Sequence, residues 1–254
     1  LDCHPSHTPV DTSFKLSANG DPFNDPTLYR SLVGSLQYLT ITHPEISFAV
    51  QQACLYMHDP RIPHYNHIKR ILRYLKGTLD HGLHINNSSP TSLTGILMQT
   101  RLLVPTLDDL HPVSVFFSVQ FDFVVLEKAG NRLPLAAEAE YRAVAHAVAD
   151  TIWLRQLLSE LHRPLPHATI VYCDNISAVY MSGNPVQHRR TKHIEIDIHF
   201  VREKVALGQV RVLHVPSTAQ FADIFTKGLP STSFCNIRSS LNVVEPPVDT
   251  AGGC

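Results

Sequence analysis

No two of the five cysteines (Cys3, Cys54, Cys173, Cys235, Cys254) stand in a CxxC spacing, and no regular framework links them. That disfavours a thiolate metal site and a disulfide-stapled scaffold, and it fits a reducing compartment. The sixteen histidines are scattered rather than grouped at metal-ligand spacing. A charge excess is lacking too. The formal net charge of −1 gives no global pull toward nucleic acid or membrane, so any such pull is local. No apolar run is long enough to span a bilayer. The chain opens LDCHPSHTPV, without a basic or apolar leader, so no signal peptide is visible. These absences predict an intracellular protein, cytoplasmic or nuclear, with no membrane partner. The missing initiator Met suggests a fragment of something longer. What is present is a globular composition, 44% hydrophobic against 17% charged, in 254 residues. That length holds one large domain or two small ones.

Residues 1–26 are rich in Pro, Asp and Ser and read as a linker. Helical signals follow. Asp25-Pro26-Thr27 offers capping groups, and Leu28, Leu32, Leu36 and Leu39 recur at helical spacing. After Pro44, a second stripe comprises Ile46, Ala49, Val50 and Ala53. Ile68, Ile71, Leu72 and Leu75 make a third, ending at Gly77. The spacing predicts a small helical unit over 27–89. Its third helix carries Lys69, Arg70, Arg73 and Lys76 on the other face. Such a face is usually solvated surface, and a nucleic-acid track is the minority reading.

From 137 onward, AAEAEYRAVAHAVADTIWLRQLLSELH reads as one long helix with Val144, Val148, Trp153, Leu157 and Leu161 inward. ATIVYCD reads as a strand ending in a carboxylate, NISAVYM as a short helix, and TKHIEIDIHFVREKVALG as a long one stopping at Gly208. QVRVLHV is a strand, and AQFADIFTKGL a final helix ended by Gly228. This alternation is an α/β layer arrangement. Residues 239–254, with two prolines and two glycines, read as a disordered tail. Between 95 and 136 the apolar runs keep neither period 2 nor period 3.6. Buried strands are not excluded there.

Three carboxylates sit where α/β folds place active sites. Asp174 ends the strand TIVYC, at the edge where open α/β sheets bind ligands. Glu140 lies in the first turn of the long helix. Asp223 begins the final helix, nine residues after His214 at a strand end. Carboxylates converging from separate elements suit a pair of Mg²⁺ ions, which take hard oxygen ligands. Each alone has a structural explanation. Glu140 and Asp223 complement a helix dipole, and Asp174 caps NISAV. Convergence is what raises the functional reading.

YRSLVGSLQYLTITHPEISFAVQQACLYMHDPRIPHYNHIKRILRYLKGTLDHGL resembles the C-terminal end of copia-type reverse transcriptases, beyond the polymerase palm. AEAEYRAVAHAVADTIWLRQLLSEL, VYCDNISAV, RTKHIEIDIHFVREKV and VRVLHVPSTAQFADIFTKGL resemble the ribonuclease H domain that follows it. The likeness spans nearly everything outside 95–136. It implies an α/β fold with a ribonuclease H-like domain at 90–238 behind a helical reverse-transcriptase tail. The ancestral reaction it implies is Mg²⁺-dependent (Mn²⁺ as a substitute) hydrolysis of RNA in RNA–DNA hybrids. By that likeness Glu140, Asp174 and Asp223 are metal ligands and His214 a proton shuttle or product-release aid. The likeness implies phosphate contacts at the HRRTKH residues Arg189, Arg190 and Lys192, whose plainer reading is surface charge at a helix start; Lys69 and Arg73 are nucleic-acid candidates only from the basic face of the third helix. The other partner implied is the rest of a Pol polyprotein.

One departure matters. The family's first strand reads like Tyr-Ser-Asp-Ala-Asp-Trp, whereas this chain has Ile96-Leu97-Met98-Gln99-Thr100-Arg101. The first metal-binding Asp falls at Met98. Codons permitted for Ile96–Thr100, ATT CTG ATG CAG AC, give Ser-Asp-Ala-Asp when read from the third base. The same phase through Val119 permits a Cys-Pro-Asp-Thr-Arg-Arg-Ser-Thr-Ser-Gly-like string. The other phase from Gln120 permits Asn-Leu-Ile-Ser-Trp-Ser-Ser-Lys-Arg-Gln. Two long strings in family order point to out-of-frame text over 95–136, with the frame restored at AEAEY. The sheet is therefore expected to be incomplete, lacking its first three strands, with 96–136 poorly packed. An ordered antiparallel meander paired to TIVYC would oppose this. Three functional expectations follow: an inactive relic with no selected role, a non-catalytic nucleic-acid binder, or, disfavoured by Met98, an active hybrid nuclease.

Overall fold

The computed structural model describes residues 3–13, 15–83, 93–100, 115–117, 123–129, 136–184, 195–216 and 220–245, with side chains from 96 to 140 outside the description. In chain order the elements are α1 (Pro26–Leu39), α2 (Ser47–Cys54), α3 (Ile62–Lys76), β1 (Gly82–Leu83), β2 (Thr94–Thr100), β3 (Val115–Phe117), β4 (Phe123–Ala129), α4 (Ala136–Glu160), β5 (Thr169–Cys173), α5 (Ile176–Gly183), α6 (Glu195–Ala206), β6 (Val210–His214), α7 (Ser231–Ser240) and β7 (Val243–Val244). They divide into two compact units. Unit 1 is Leu1–Ile85 with Asp223–Cys254, and unit 2 is Asn86–Ala222. The division therefore falls near 85 and 222, where the sequence suggested 89 and 238.

In unit 1 the predicted punctuation is in place. The Asp25 side chain accepts the Leu28 amide at 2.9 Å and Pro26 opens α1, while Gly77 closes α3. Within α1 the buried residues are Tyr29, Val33 and Leu36, and Leu28 is exposed. The aromatic Tyr29 takes the inward face and donates its hydroxyl to the Ala53 carbonyl at 2.8 Å. From the second stripe Ile46, Ala49, Val50 and Ala53 are buried; from the third, Ile68 and Ile71 are, with Leu72 outside.

The segment that composition marked as a linker is a strap along α3. The Ser6 amide donates to Arg73 O at 3.2 Å, and the amides of Ile62 and Phe23 donate to Asp21 O and Pro60 O, both at 2.9 Å. His64 bonds Ser17 O at 2.8 Å. Short polar side chains and free carbonyls satisfy one another there without a regular ladder. Two further expectations are corrected. The predicted final helix is only a 3-10 segment, Phe221–Phe225, followed by the unforeseen α7. The supposedly disordered tail is ordered through 245, where β7 pairs antiparallel with β1 and Leu241 and Val243 are buried. Residues 246–254 lie outside the described ones.

Unit 2 is a mixed five-stranded sheet in the order β3-β4-β2-β5-β6. The pairs β2–β4, β2–β5 and β5–β6 are parallel, and β3–β4 is antiparallel. The expected loss of three strands is thus overturned. TGILMQT and FVVLEKA carry enough strand-favouring residues (Thr94, Ile96, Thr100, Phe123, Val124 and Val125) to fit a pleated surface whatever their origin. They do not form an antiparallel meander, because β2 and β4 run the same way.

The core gathers Tyr141, Val144 and Val148 from α4, Val171 and Cys173 from β5, Ala178 and Met181 from α5, Ile198 and Val201 from α6, and Val210 from β6. The inward assignment of Trp153, Leu157 and Leu161 is corrected: all three are exposed. At about 100° per residue, Trp153 and Leu157 lie about 140° and about 180° round the helix from Val148. Thr151 and Leu154 are buried instead. Gly208, with φ 68°, makes the left-handed turn after α6.

Candidate active site

Two of the four expected catalytic residues, Asp174 and His214, lie at one sheet edge. Parallel strands place their C-terminal ends together, and here Cys173 of β5 pairs with His214 of β6. The Val215 amide continues the ladder to Cys173 O at 3.0 Å. Asp174 is the next residue after β5, and both Asp174 and His214 are exposed. The structural explanation for Asp174 fails, because the cap of α5 is its neighbour. The Asn175 side chain accepts the Ala178 amide at 2.9 Å. Asp174 is thereby left facing water at the edge where α/β sheets bind ligands.

The same register locates the departure. Ile96 of β2 pairs with Tyr172 of β5, so two residues further on Met98 comes level with Asp174. On its other side Met98 pairs with Glu127 of β4. Sequence reasoning missed Glu127, since no periodicity in 95–136 marks it.

Glu140 lies in the first turns of α4, in the same unit, with its side chain outside the described ones. Asp223 belongs to unit 1. Its carboxylate pairs with Lys227 Nζ at 2.7 Å, four residues on, a structural role other than the helix-dipole complement expected of it. Among the described residues, no three or more His, Cys, Asp or Glu side chains are grouped to hold a metal ion.

The basic face of α3 is split. Arg70 bonds Asp11 Oδ2 at 3.0 Å and both Thr8 O and Thr8 Oγ1, and Lys76 donates to Cys3 O at 3.2 Å. Lys69 and Arg73 are exposed, Lys69 lying 4.6 Å over the Tyr65 ring. Arg189, Arg190 and Lys192 lie outside the described residues. Among those described, no helix is long and apolar enough to cross a membrane.

A mixed α/β protein with an exposed carboxylate and imidazole on neighbouring strand ends is the class defined here. Its relatives narrow that class. The chain is 39% identical over 264 residues to the retrovirus-related Pol polyprotein from transposon RE2 of Arabidopsis thaliana, covering 99% of the chain and 17% of that polyprotein. It is 39% identical over 255 residues to the one from transposon RE1 of the same plant, covering 96% and 17%. Identity to the polyprotein from transposon TNT 1-94 of Nicotiana tabacum is 31% over 216 residues, or 81% and 16%. No family model and no solved structure matches the chain. The chain belongs to the copia-type, retrovirus-related Pol polyproteins of transposons, and it spans about one-sixth of the length of these relatives.

Proposed function

We propose that this chain is a degenerate ribonuclease H-like segment of a retrotransposon Pol polyprotein. Its ancestral reaction is metal-dependent hydrolysis of the RNA strand of RNA–DNA hybrids, and the chain as it stands does not cleave. The observation that carries the reading is that Met98 of β2 comes level with Asp174 after β5, at the sheet edge where His214 ends the neighbouring β6 one register position away. On this reading Asp174, after β5, is the retained carboxylate and His214 the imidazole, with the thioether residue Met98 where the first carboxylate belongs.

The residues present do not fit a Mg²⁺ pair. Magnesium takes hard oxygen donors, and a thioether is a soft one. Asp223 is engaged by Lys227. No step is therefore assigned to a metal in this chain. Exposed Lys69 and Arg73 favour a second reading, residual binding of a nucleic-acid backbone without cleavage.

The test is hybrid cleavage in Mg²⁺ and in Mn²⁺. No cleavage is expected, and Met98→Asp alone should not restore it, because the surrounding strand stays foreign. Cleavage by the unaltered chain that disappears on Asp174→Asn would overturn the reading.

A further inference from the structure

Among the described residues, unit 2 has a cluster of buried apolar side chains drawn from residues 93–212. Unit 1 has its own core, assembled from two chain segments far apart in sequence. From the second segment Ile224, Phe225, Phe234, Leu241 and Val243 are buried. Phe234 meets Tyr74 edge-on, with ring centroids 5.6 Å apart. One turn later on the same face of α7, Arg238 donates to the Tyr74 hydroxyl at 3.4 Å. That hydroxyl in turn donates to the buried Glu45 Oε1 at 3.2 Å. β7 then adds to β1 through Gly82↔Val244 and Leu83↔Val243.

The join is close-packed. Val10 and Phe48 of the first segment and Leu229 and Phe234 of the second line one small cavity, with room for about one water. A Cβ at Gly228 would lie 3.1 Å from Val10 Cγ1, so a side chain there would press on the strap. An aromatic anchor, a hydrogen-bonded arginine and an added strand are the parts of a peptide-docking surface.

We propose that residues 3–83 and 223–245 form one self-contained module, and that the C-terminal segment is a docked peptide whose hold does not depend on residues 86–222. The partner this surface takes is an amphipathic segment: a short helix with an aromatic and an arginine four residues apart, followed by an apolar strand. The inference is independent of the nuclease reading, because the contacts that carry it, Phe234 and Arg238 on Tyr74, Tyr74 on Glu45 and β7 on β1, involve no residue assigned to catalysis.

The experiment inserts site-specific protease sequences at 86–92 and at 217–219 of the full chain, cuts both, and follows the C-terminal fragment by gel filtration without denaturant. The fragment is expected to stay with the N-terminal one. It should also stay when Val148→Asp unfolds the middle fragment. Phe234→Ala should weaken the association by at least about a hundredfold, the scale of truncating a buried aromatic. Release of the C-terminal fragment on unfolding the middle one overturns the proposal. So does retention unaffected by Phe234→Ala, since docking would then not run through this surface.

Discussion

Helices α1–α3 and strands β2–β4 are both formed from apolar runs, yet they obey different rules. In the helices, local signals and tertiary contacts agree. Asp25 caps, Gly77 stops, and Ile68 and Ile71 fall on the buried face. In the strands, β propensity and pairing are present without the turn and periodicity signals that normally accompany them. A sheet needs only apolar, β-branched text to recruit a strand, whereas a site needs particular residues at particular registers. The difference teaches that strand pairing asks less of a sequence than a site does.

The sharpest way to break that comparison is to repair the strands. Replacing residues 96–136 with their shifted-frame translation should take hybrid cleavage from undetectable to measurable, and Asp174→Asn in the repaired chain should abolish it again. The genomic DNA gives an independent check. Its codons from 96 onward should read Tyr-Ser-Asp-Ala-Asp in the shifted phase, and any other string there removes the frame account. Should the unrepaired chain cleave after all, Glu127→Gln would ask whether the residue paired with Met98 has taken over.

Packing supplies the next largest effect. Ile71 is fully buried in unit 1, so Ile71→Ala should cost about 2–5 kcal/mol of unfolding free energy in urea titrations. Leu157 is 37% exposed on α4, and Leu157→Ala should cost under about 1 kcal/mol. Equal losses would mean that the outward face of α4 has been misassigned.

A smaller effect is pH-dependent. Burial lowers the pKa of His64, against the opposing Ser17 carbonyl, with Arg61 lowering and Asp59 raising it. Its Nδ1 accepts the Arg61 amide at 3.0 Å while Nε2–H donates to Ser17 O, so the folded state holds the neutral ring. As pH falls below about 6.5 the unfolded chain takes up the proton first. Stability is therefore complete above that value and is lost as pH drops toward the lower folded pKa. Burial lowers His67 as well, with the same sign. Urea midpoints measured from about pH 7.5 down to about pH 5 should decline, and His64→Gln should flatten part of the decline. A midpoint that rises on acidification contradicts the assignment.

The smallest expected effect concerns Lys69 and Arg73. If the chain binds a hybrid, each Ala substitution should reduce the slope of log affinity against log salt by about 1. An unchanged slope would leave α3 as ordinary solvated surface.

By itself the sequence determined the helical punctuation of α1–α3, the strand–helix alternation from β5 to β6, the kinship with transposon polyproteins, and the residue types available for chemistry. These are local or pattern properties: a capping Asp, a terminal Gly, an apolar repeat, a carboxylate after a strand. Asp174 was legible because a strand ending in a carboxylate is a short-range signal. Three things were decided only in the folded chain. The inward face of α4 passes through Thr151 and Leu154 rather than Trp153 and Leu157, because the neighbouring elements choose which helix face is covered. Residues 3–23 and 223–245 join α3, through bonds between positions too far apart in sequence for any local pattern to announce. And Met98 comes level with Asp174, because strand register is a relation between two segments and is written in neither of them alone.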